Sequence, residues 1–450
     1  MTERDFNLVV PLAHKATDMR TMETTGSAPE RSSAVSSLKT RRGDVVCTTG
    51  PAGPGIRTST TATRTTTTRA TGFAPAPSAD WSAPADYTFT KLVEAYFDCR
   101  RTKRNSPSAL AFEANLERNL RRLHDQLMAG TYKPGRSICF VITHPKPREV
   151  WAASFTDRIV HHLVHRHIAP RFYARFIADS CACIPGRGTL YAAKRLESKI
   201  RSITQNWAQP AHYLKCDLAN FFVAIDKHVL AQLLARHVTE PWWWALTQTV
   251  LFHDPRTDFE LRGDAATLAL VPAHKRLTNH PAHLGLPIGN LSSQFFANVY
   301  LNELDQFVKH GLRARHYIRY VDDFVILHED GSWLNSARQQ IDTFLASHLA
   351  AKLNPRKTII QPISRGVDLV GQVVKPWRRM IRRKTVHVAM ERLADAPDDK
   401  AFQAANSYYG LMRQAAHSHA DRARLSNLLL DMGFTVKGDL TKTYRRKGSA

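Results

Sequence analysis

Acidic residues are scarce in this 450-residue chain. Asp and Glu number 39 against 63 Lys and Arg, a formal net charge of +24 and a pI near 10.1. So large an excess points to a polyanionic partner, either nucleic acid or an anionic membrane surface. No run of 18 or more apolar residues exists, so no membrane-spanning helix is expected. The N-terminus mixes acidic and apolar residues and lacks the apolar core of a signal peptide; Met19 and Met22 offer alternative starts. Cysteines are few and scattered: Cys47, Cys99, Cys139, Cys181, Cys183 and Cys216. That suits a reducing, cytoplasmic location better than a disulfide framework. Cys181-Ala-Cys183 is too tight for a zinc CxxC pair. The stretch HHLVHRH (161–167) sets His161 and His165 at helical spacing but lacks the Glu of a zinc-binding HExxH. We read it as a solvated or RNA-facing helix surface. No internal repeat is present.

What the chain does have falls into blocks. Residues 1–86 hold ten Lys/Arg against eight Asp/Glu, so nearly all of the positive excess lies beyond them. TSTTATRTTTTRATG is low-complexity, and we expect a disordered extension there. From Tyr87 the pattern is ordered. Phe112, Leu116, Leu120, Leu123 and Leu127 recur at helical spacing, with Gly130 as a C-cap. SICFVITH and REVWAAS read as paired strands, and FTDRIVHHLVHRHI as a helix stopping before Pro170. Strand–helix alternation runs to about residue 375, and the pattern after KPWRRMIRRK is helical.

Two stretches carry acidic side chains where an ordinary core would avoid them. HYIRYVDDFVIL (316–327) reads as a hairpin with Asp322 and Asp323 at its crest. Asp is also a common turn residue, so the pair alone decides nothing. HYLKCDLANFFVAID (212–226) reads as a strand ending in Asp217, then a turn and a helix. If that strand lies beside the hairpin, Asp217 and Asp322 converge. Convergent carboxylates in a basic protein suggest a two-metal site, where one Mg²⁺ activates a primer 3′-OH and the other holds a triphosphate.

The Asp217 stretch, GLPIGNLSSQ (285–294), YVDD (320–323), LNPRKTII (353–360) and GVDLVG (366–371) follow one another in the order found in reverse transcriptases. Over roughly residues 95–450 the chain resembles that family. Its likeness is greatest to the reverse transcriptases of diversity-generating retroelements, whose hallmark is an aliphatic residue, Gly, three residues, Ser and Gln. Here that is Ile288-Gly289-Asn290-Leu291-Ser292-Ser293-Gln294. Intron, retron and retroviral relatives usually carry Gln-Gly at the first two positions. LFHDP (251–255) and NSYYGLMR (406–413) also look like this subgroup.

The resemblance implies an α/β right-hand polymerase fold: fingers at 87–205, a palm with an antiparallel sheet at 206–376, and a helical thumb at 377–450. It implies Asp217, Asp322 and Asp323 as catalytic and metal-holding carboxylates for two Mg²⁺, with Mn²⁺ as a substitute. Lys357 matches the lysine beside the leaving pyrophosphate. Lys146 and Arg148 match the residues that grip the triphosphate. Phe222, five residues after Asp217, matches the steric gate against a ribose 2′-OH. Ile288, Gly289 and Gln294 would line the nucleotide, with Gly289 allowing close backbone approach. Arg158 and Arg187 are further template candidates. Arg378, Arg379, Arg382 and Arg383 interleave with Trp377 as a track for template and primer. PWWW (241–244) reads as core or interface. The helix from about Ser292 to His310 turns Phe295, Val299 and Phe307 to the core.

The implied reaction is cDNA synthesis from an RNA template, a DNA or RNA primer and dNTPs. The diversity-generating type copies a template repeat with errors at adenines, alongside a small basic accessory variability protein and with no membrane. The same palm also serves phage-defence reverse transcriptases. A non-catalytic RNA-binding scaffold would have no need of three carboxylates, Phe222 and Lys357 together.

Overall fold

The structure is a computed structural model and describes residues 84–101, 103–143 and 146–445. The expected N-terminal extension lies almost wholly outside them. Near the start of the described residues, the Asp86 carboxylate accepts from Trp243 Nε1 at 3.1 Å.

Three helices come first, α1 (Phe89–Arg100), α2 (Pro107–Glu113) and α3 (Leu116–Met128). Thr88 and Ser106 cap the first two by accepting from Lys91 N and Ala109 N, which satisfies otherwise orphaned donors. Gly130, at φ +64°, closes α3 as its sequence suggests. Strands β1 (Ser137–Ile142) and β2 (Arg148–Ala152) pair antiparallel. Helix α4 (Phe155–Tyr173) runs through Pro170 rather than stopping before it. Ile168, Ala169 and Phe172 are buried and hold the last turn, outweighing the one backbone bond that proline forfeits.

Next come α5 (Thr189–Ile203), β3 (His212–Cys216), α6 (Phe221–Ala224), α7 (Lys227–Ala235) and α8 (Pro241–Phe252). In α8, Trp242 and Trp243 are core residues. β4 (Phe259–Arg262) returns parallel to β1, giving a three-stranded sheet ordered β2-β1-β4. After the short α9 (Ala265–Ala269), α10 (Leu291–Gln306) buries Phe295, Phe296 and Val299, and Phe307 in the following turn stacks on Phe344. Strands β5 (His316–Tyr320) and β6 (Asp323–His328) form the hairpin, followed by α11 (Gly331–Leu349) and β7 (Ile359–Pro362). The second sheet is wholly antiparallel, in the order β5-β6-β3-β7.

Both faces of this sheet are covered, which is why FVIL reads as a continuous apolar run rather than an alternating one. Leu214, Cys216, Tyr317, Phe324 and Ile326 join the main core, built largely from helices. Tyr213, Ile318, Val325 and Leu327 join a second core with residues of α5 and of the next hairpin. That hairpin consists of β8 (Val367–Leu369), β9 (Gln372–Lys375) and β10 (Arg378–Ile381). Beyond it, α12 (Arg383–Ala394), α13 (Asp398–Met412) and α14 (His419–Asp431) pack around their own core, which includes Leu393, Tyr409 and Leu429. The small pair β11 (Thr435–Val436) and β12 (Thr443–Tyr444) follows.

Candidate active site

Strand register decides which side chains meet. Cys216 lies opposite Phe324 on β6, so Asp217 emerges from the end of β3 beside Asp323. Tyr320 pairs with Asp323, leaving Val321 and Asp322 as a two-residue turn. Val321 holds φ +56°, a left-handed conformation that β-branched residues avoid. The acidic pair therefore sits on a strained turn at the end of the sheet where Asp217 arrives.

The proximity has electrostatic consequences. Burial, and then the carboxylates of Asp217 and Asp323, push the Asp322 carboxyl up to about 6. Asp323 is also raised, first by burial and then by Asp217 and Asp368, while Lys215 and Lys357 pull it down. Three mutually repelling carboxylates need positive charge nearby. Lys357 Nζ lies 2.6 Å from Asp217 Oδ2. Asn354 Nδ2 donates to the same oxygen at 3.2 Å, and Asn354 N to the Asp217 carbonyl at 2.8 Å. The Asn354–Thr358 loop is thus wrapped onto Asp217. Lys146, exposed on the connection between β1 and β2, and Arg148, exposed at the start of β2, complete the rim. Burial, then Lys357, Lys275 and Arg148, push the Lys146 pKa down, and Asp217 opposes them. Arg148 in turn is within electrostatic reach of Asp322.

As the side chains stand, no three His, Cys, Asp or Glu groups among the described residues form a closed ligand set. Their chemistry nevertheless fits Mg²⁺. Hard carboxylate oxygens converge on one turn, and Mg²⁺ typically takes only one or two of these, completing its octahedron with water and phosphate.

The glycine-rich loop before α10 crosses β2. Trp151 N donates to the Ile288 carbonyl at 2.7 Å, and Ala153 N to Asn290 Oδ1 at 3.2 Å. A Cβ on Gly289 would stand 2.8 Å from Val150 Cγ1 and 3.0 Å from the Trp151 carbonyl. The close approach this glycine permits in the structure is to β2, a role its sequence context does not signal. Ile288, Gln294 and Phe222 are half-buried. Phe222 accepts from Leu286 N at 2.8 Å, which brings α6 against the same loop.

The expected basic track needs correction. Strand alternation turns Arg378 outward and Arg379 inward. Arg379 is buried, with Nε 3.1 Å from Glu197 of α5, Nη1 2.6 Å from Gln372, and a further bond to the Gln414 carbonyl. It ties the C-terminal helices to α5 and is closed to phosphate. Arg382 pairs with Asp368 at 2.5 Å, and Arg383 is exposed. Arg187 Nη1 donates to the Ile177 and Ser180 carbonyls, both at 2.7 Å, so it holds its own loop. Arg158 is half-buried beside Asp157 and Cys99. The histidines of α4 do not form a solvated face either. His161 is buried, His165 bonds Tyr173 Oη at 2.8 Å, and His167 stacks on Trp243 at 3.7 Å. Burial pushes His161 down to about 3 and His162 and His165 to about 4, which leaves them neutral.

Residues 143–374, just over half of the chain, match the family model described as reverse transcriptase (RNA-dependent DNA polymerase). The chain belongs to the reverse transcriptase family. The mixed α/β fold, with helices packed around antiparallel sheets, is the one that membership implies. Among solved structures it is similar to a telomerase from Candida albicans in complex with a TWJ fragment of telomeric RNA. That match has 11% identity and a TM-score of 0.38, covering 66% of this chain and 55% of that one. An apo telomerase from Candida tropicalis, truncated from its C-terminal domain, matches at 10% identity and TM-score 0.39, covering 54% and 53%. This reverse transcriptase thus spans about half the length of those chains. No curated protein matches it.

Several residues of the site went unremarked in the sequence. Lys215 lies two positions before Asp217, on the same face of β3, and its Nζ donates to the Asp368 carbonyl at 2.9 Å. The period of two along a strand was the available signal. Asn354 had none beyond its place in NPRKT. Lys275 comes from the segment between α9 and α10, a distant stretch with no motif.

Proposed function

We propose that this reverse transcriptase makes cDNA by two-metal nucleotidyl transfer, in the error-prone manner of a diversity-generating retroelement. The observation that carries the first half is the convergence of Asp217 with Asp322 and Asp323 from two paired strands, inside a rim of Lys146, Arg148 and Lys357. Asp217 and Asp322 would hold the divalent ions, with Asp323 helping to orient them. Ions held there would supply acidity to the primer 3′-OH and offset the charge of the triphosphate.

The chain's own residues do the rest. Arg148 and Lys146 grip phosphate oxygens, the first through a planar fork and the second as a point charge. Lys357 exchanges its carboxylate partner for the departing pyrophosphate, whose charge it offsets. Phe222 blocks the volume a 2′-OH would need. Template RNA, primer and dNTPs are the substrates, and a small basic accessory protein is the partner this type employs.

Support for the error-prone half is Ile288. An amide at this position could hydrogen-bond near the incoming nucleotide, and an aliphatic chain cannot. A lost polar contact is worth about 0.5–1.5 kcal/mol, roughly two- to twelve-fold in selectivity. The adenine bias itself rests on likeness to the family subgroup. Sequencing cDNA made from one RNA by the wild type and by Ile288→Gln tests this reading. The substitution should raise fidelity opposite template adenines more than opposite other bases. Wild-type copying that is equally accurate at adenine and guanine, with the accessory protein present, removes the diversity-generating reading and leaves the polymerase.

A further inference from the structure

The strained turn is held from beneath by a side chain outside the expected chemistry. Arg319, on β5, is fully buried. An uncompensated guanidinium there would cost several kcal/mol. Every one of its five N–H groups has an acceptor. Nε and Nη2 donate to the two oxygens of Asp305 at 2.7 and 2.6 Å. Nη2 also reaches Ser180 Oγ at 2.9 Å, and Nη1 reaches Asn298 Oδ1 at 3.1 Å. The fifth bond runs from Nη1 to the carbonyl of Val321 at 3.0 Å. Asp305, equally buried on α10, accepts from Tyr317 Oη at 2.7 Å as well.

The partners come from three places that strand pairing alone does not join. Asp305 and Asn298 lie on α10, Ser180 on the loop after α4, and Val321 in the acidic turn. The Ser180 loop is stitched to the same strand by its backbone: Arg319 N donates to the Asp179 carbonyl, and Cys181 N to the Arg319 carbonyl, both at 2.9 Å. Val321, at φ +56°, holds a conformation that costs on the order of 1–2 kcal/mol for a left-handed non-glycine. Such a conformation persists only where its surroundings hold it.

We propose that Arg319 is a positioning residue of the polymerase site: by fixing the Val321 carbonyl it holds the strained turn that aims Asp322 and Asp323. This rests on the reading of those carboxylates as metal ligands. A merely structural arginine would affect stability alone. A positioning one affects metal affinity and turnover while leaving RNA binding and dNTP KM in place.

The test compares full-length wild type, Arg319→Lys and the double variant Arg319→Met/Asp305→Met. Lysine keeps the charge opposite Asp305 but lacks the fork that reaches Val321. The double variant removes both buried charges together, a replacement a fold often tolerates. Mn²⁺ binding is read by electron paramagnetic resonance without nucleotide, beside thermal melting, RNA affinity, kcat and KM. We expect folded variants whose RNA affinity and dNTP KM stay within about threefold. Their Mn²⁺ affinity and kcat should each fall about tenfold or more. A folded variant with wild-type Mn²⁺ affinity and kcat overturns the proposal. So does failure of both variants to fold, which would make the network a requirement of the fold rather than of the turn. An inactive wild type, or an active Asp322→Asn, sinks the underlying metal-site reading instead.

Discussion

Asp322 carries an electrostatic cost. Its folded pKa of about 6 lies above the usual carboxylate value because of burial and two neighbouring carboxylates. A carboxyl raised in this way favours the fold while protonated. That contribution is full below about pH 4 and is lost as pH rises through about 6. With a chelator present, Asp322→Asn should therefore melt above wild type by roughly 2–6 °C at pH 7.5. The gap should close towards pH 4. A gap independent of pH would mean that the carboxylates do not strain one another. Phe222 invites a second test at this scale. It is half-buried on a four-residue helix, its backbone fixed to Leu286. Phe222→Ala should raise rNTP incorporation relative to dNTP by about 10- to 200-fold, the range a filled or vacated volume produces. Unchanged discrimination would return Phe222 to core packing.

At the level of elements, the hairpin was legible because β-branched and aromatic runs favour strands and an Asp-Asp between two of them favours a tight turn, and β3 because its apolar run ends at a lone Asp. Helix α10 was legible for its phenylalanines at helical spacing. Less readable was whatever depended on which way a strand or helix faced. In WRRMIRRK four arginines look alike, yet one-residue alternation on β10 buries Arg379 against Glu197 and exposes Arg378. Histidine clustering on α4 looked polar until packing against Trp243, Tyr173 and Ser292 made it interior. Pro170 looked like a stop, and buried neighbours on its own helix overrode it. These corrections change the expected nucleic-acid track. Neutralising Arg378 and Arg383 together should shallow the slope of log K against log salt for RNA by roughly 1.4–1.8, two phosphate contacts' worth. Changing Arg379 should instead loosen the C-terminal helices and lower the melting temperature. If Arg379→Ala leaves melting unchanged and shallows the slope, its buried role is wrong.

Across the whole molecule, the sequence made the order of motifs readable, and the fold explains why that order matters. Asp217 and Asp322 lie over one hundred residues apart in the chain, and antiparallel pairing of β3 with β6 brings them to one edge. The clamp around them was not readable. Asn354, Lys215 and the Arg319 network act through backbone carbonyls and buried charges, which leave no pattern in a single sequence. Primer extension on an RNA template with Mg²⁺ and dNTPs tests the central claim most directly, with wild type, Asp217→Asn and Asp322→Asn compared. Wild type should extend the primer. Each variant should fold, bind the RNA and lose extension by about a thousandfold or more, and the double variant should be no worse than either, since all disable one site. Full extension by Asp322→Asn would contradict the account.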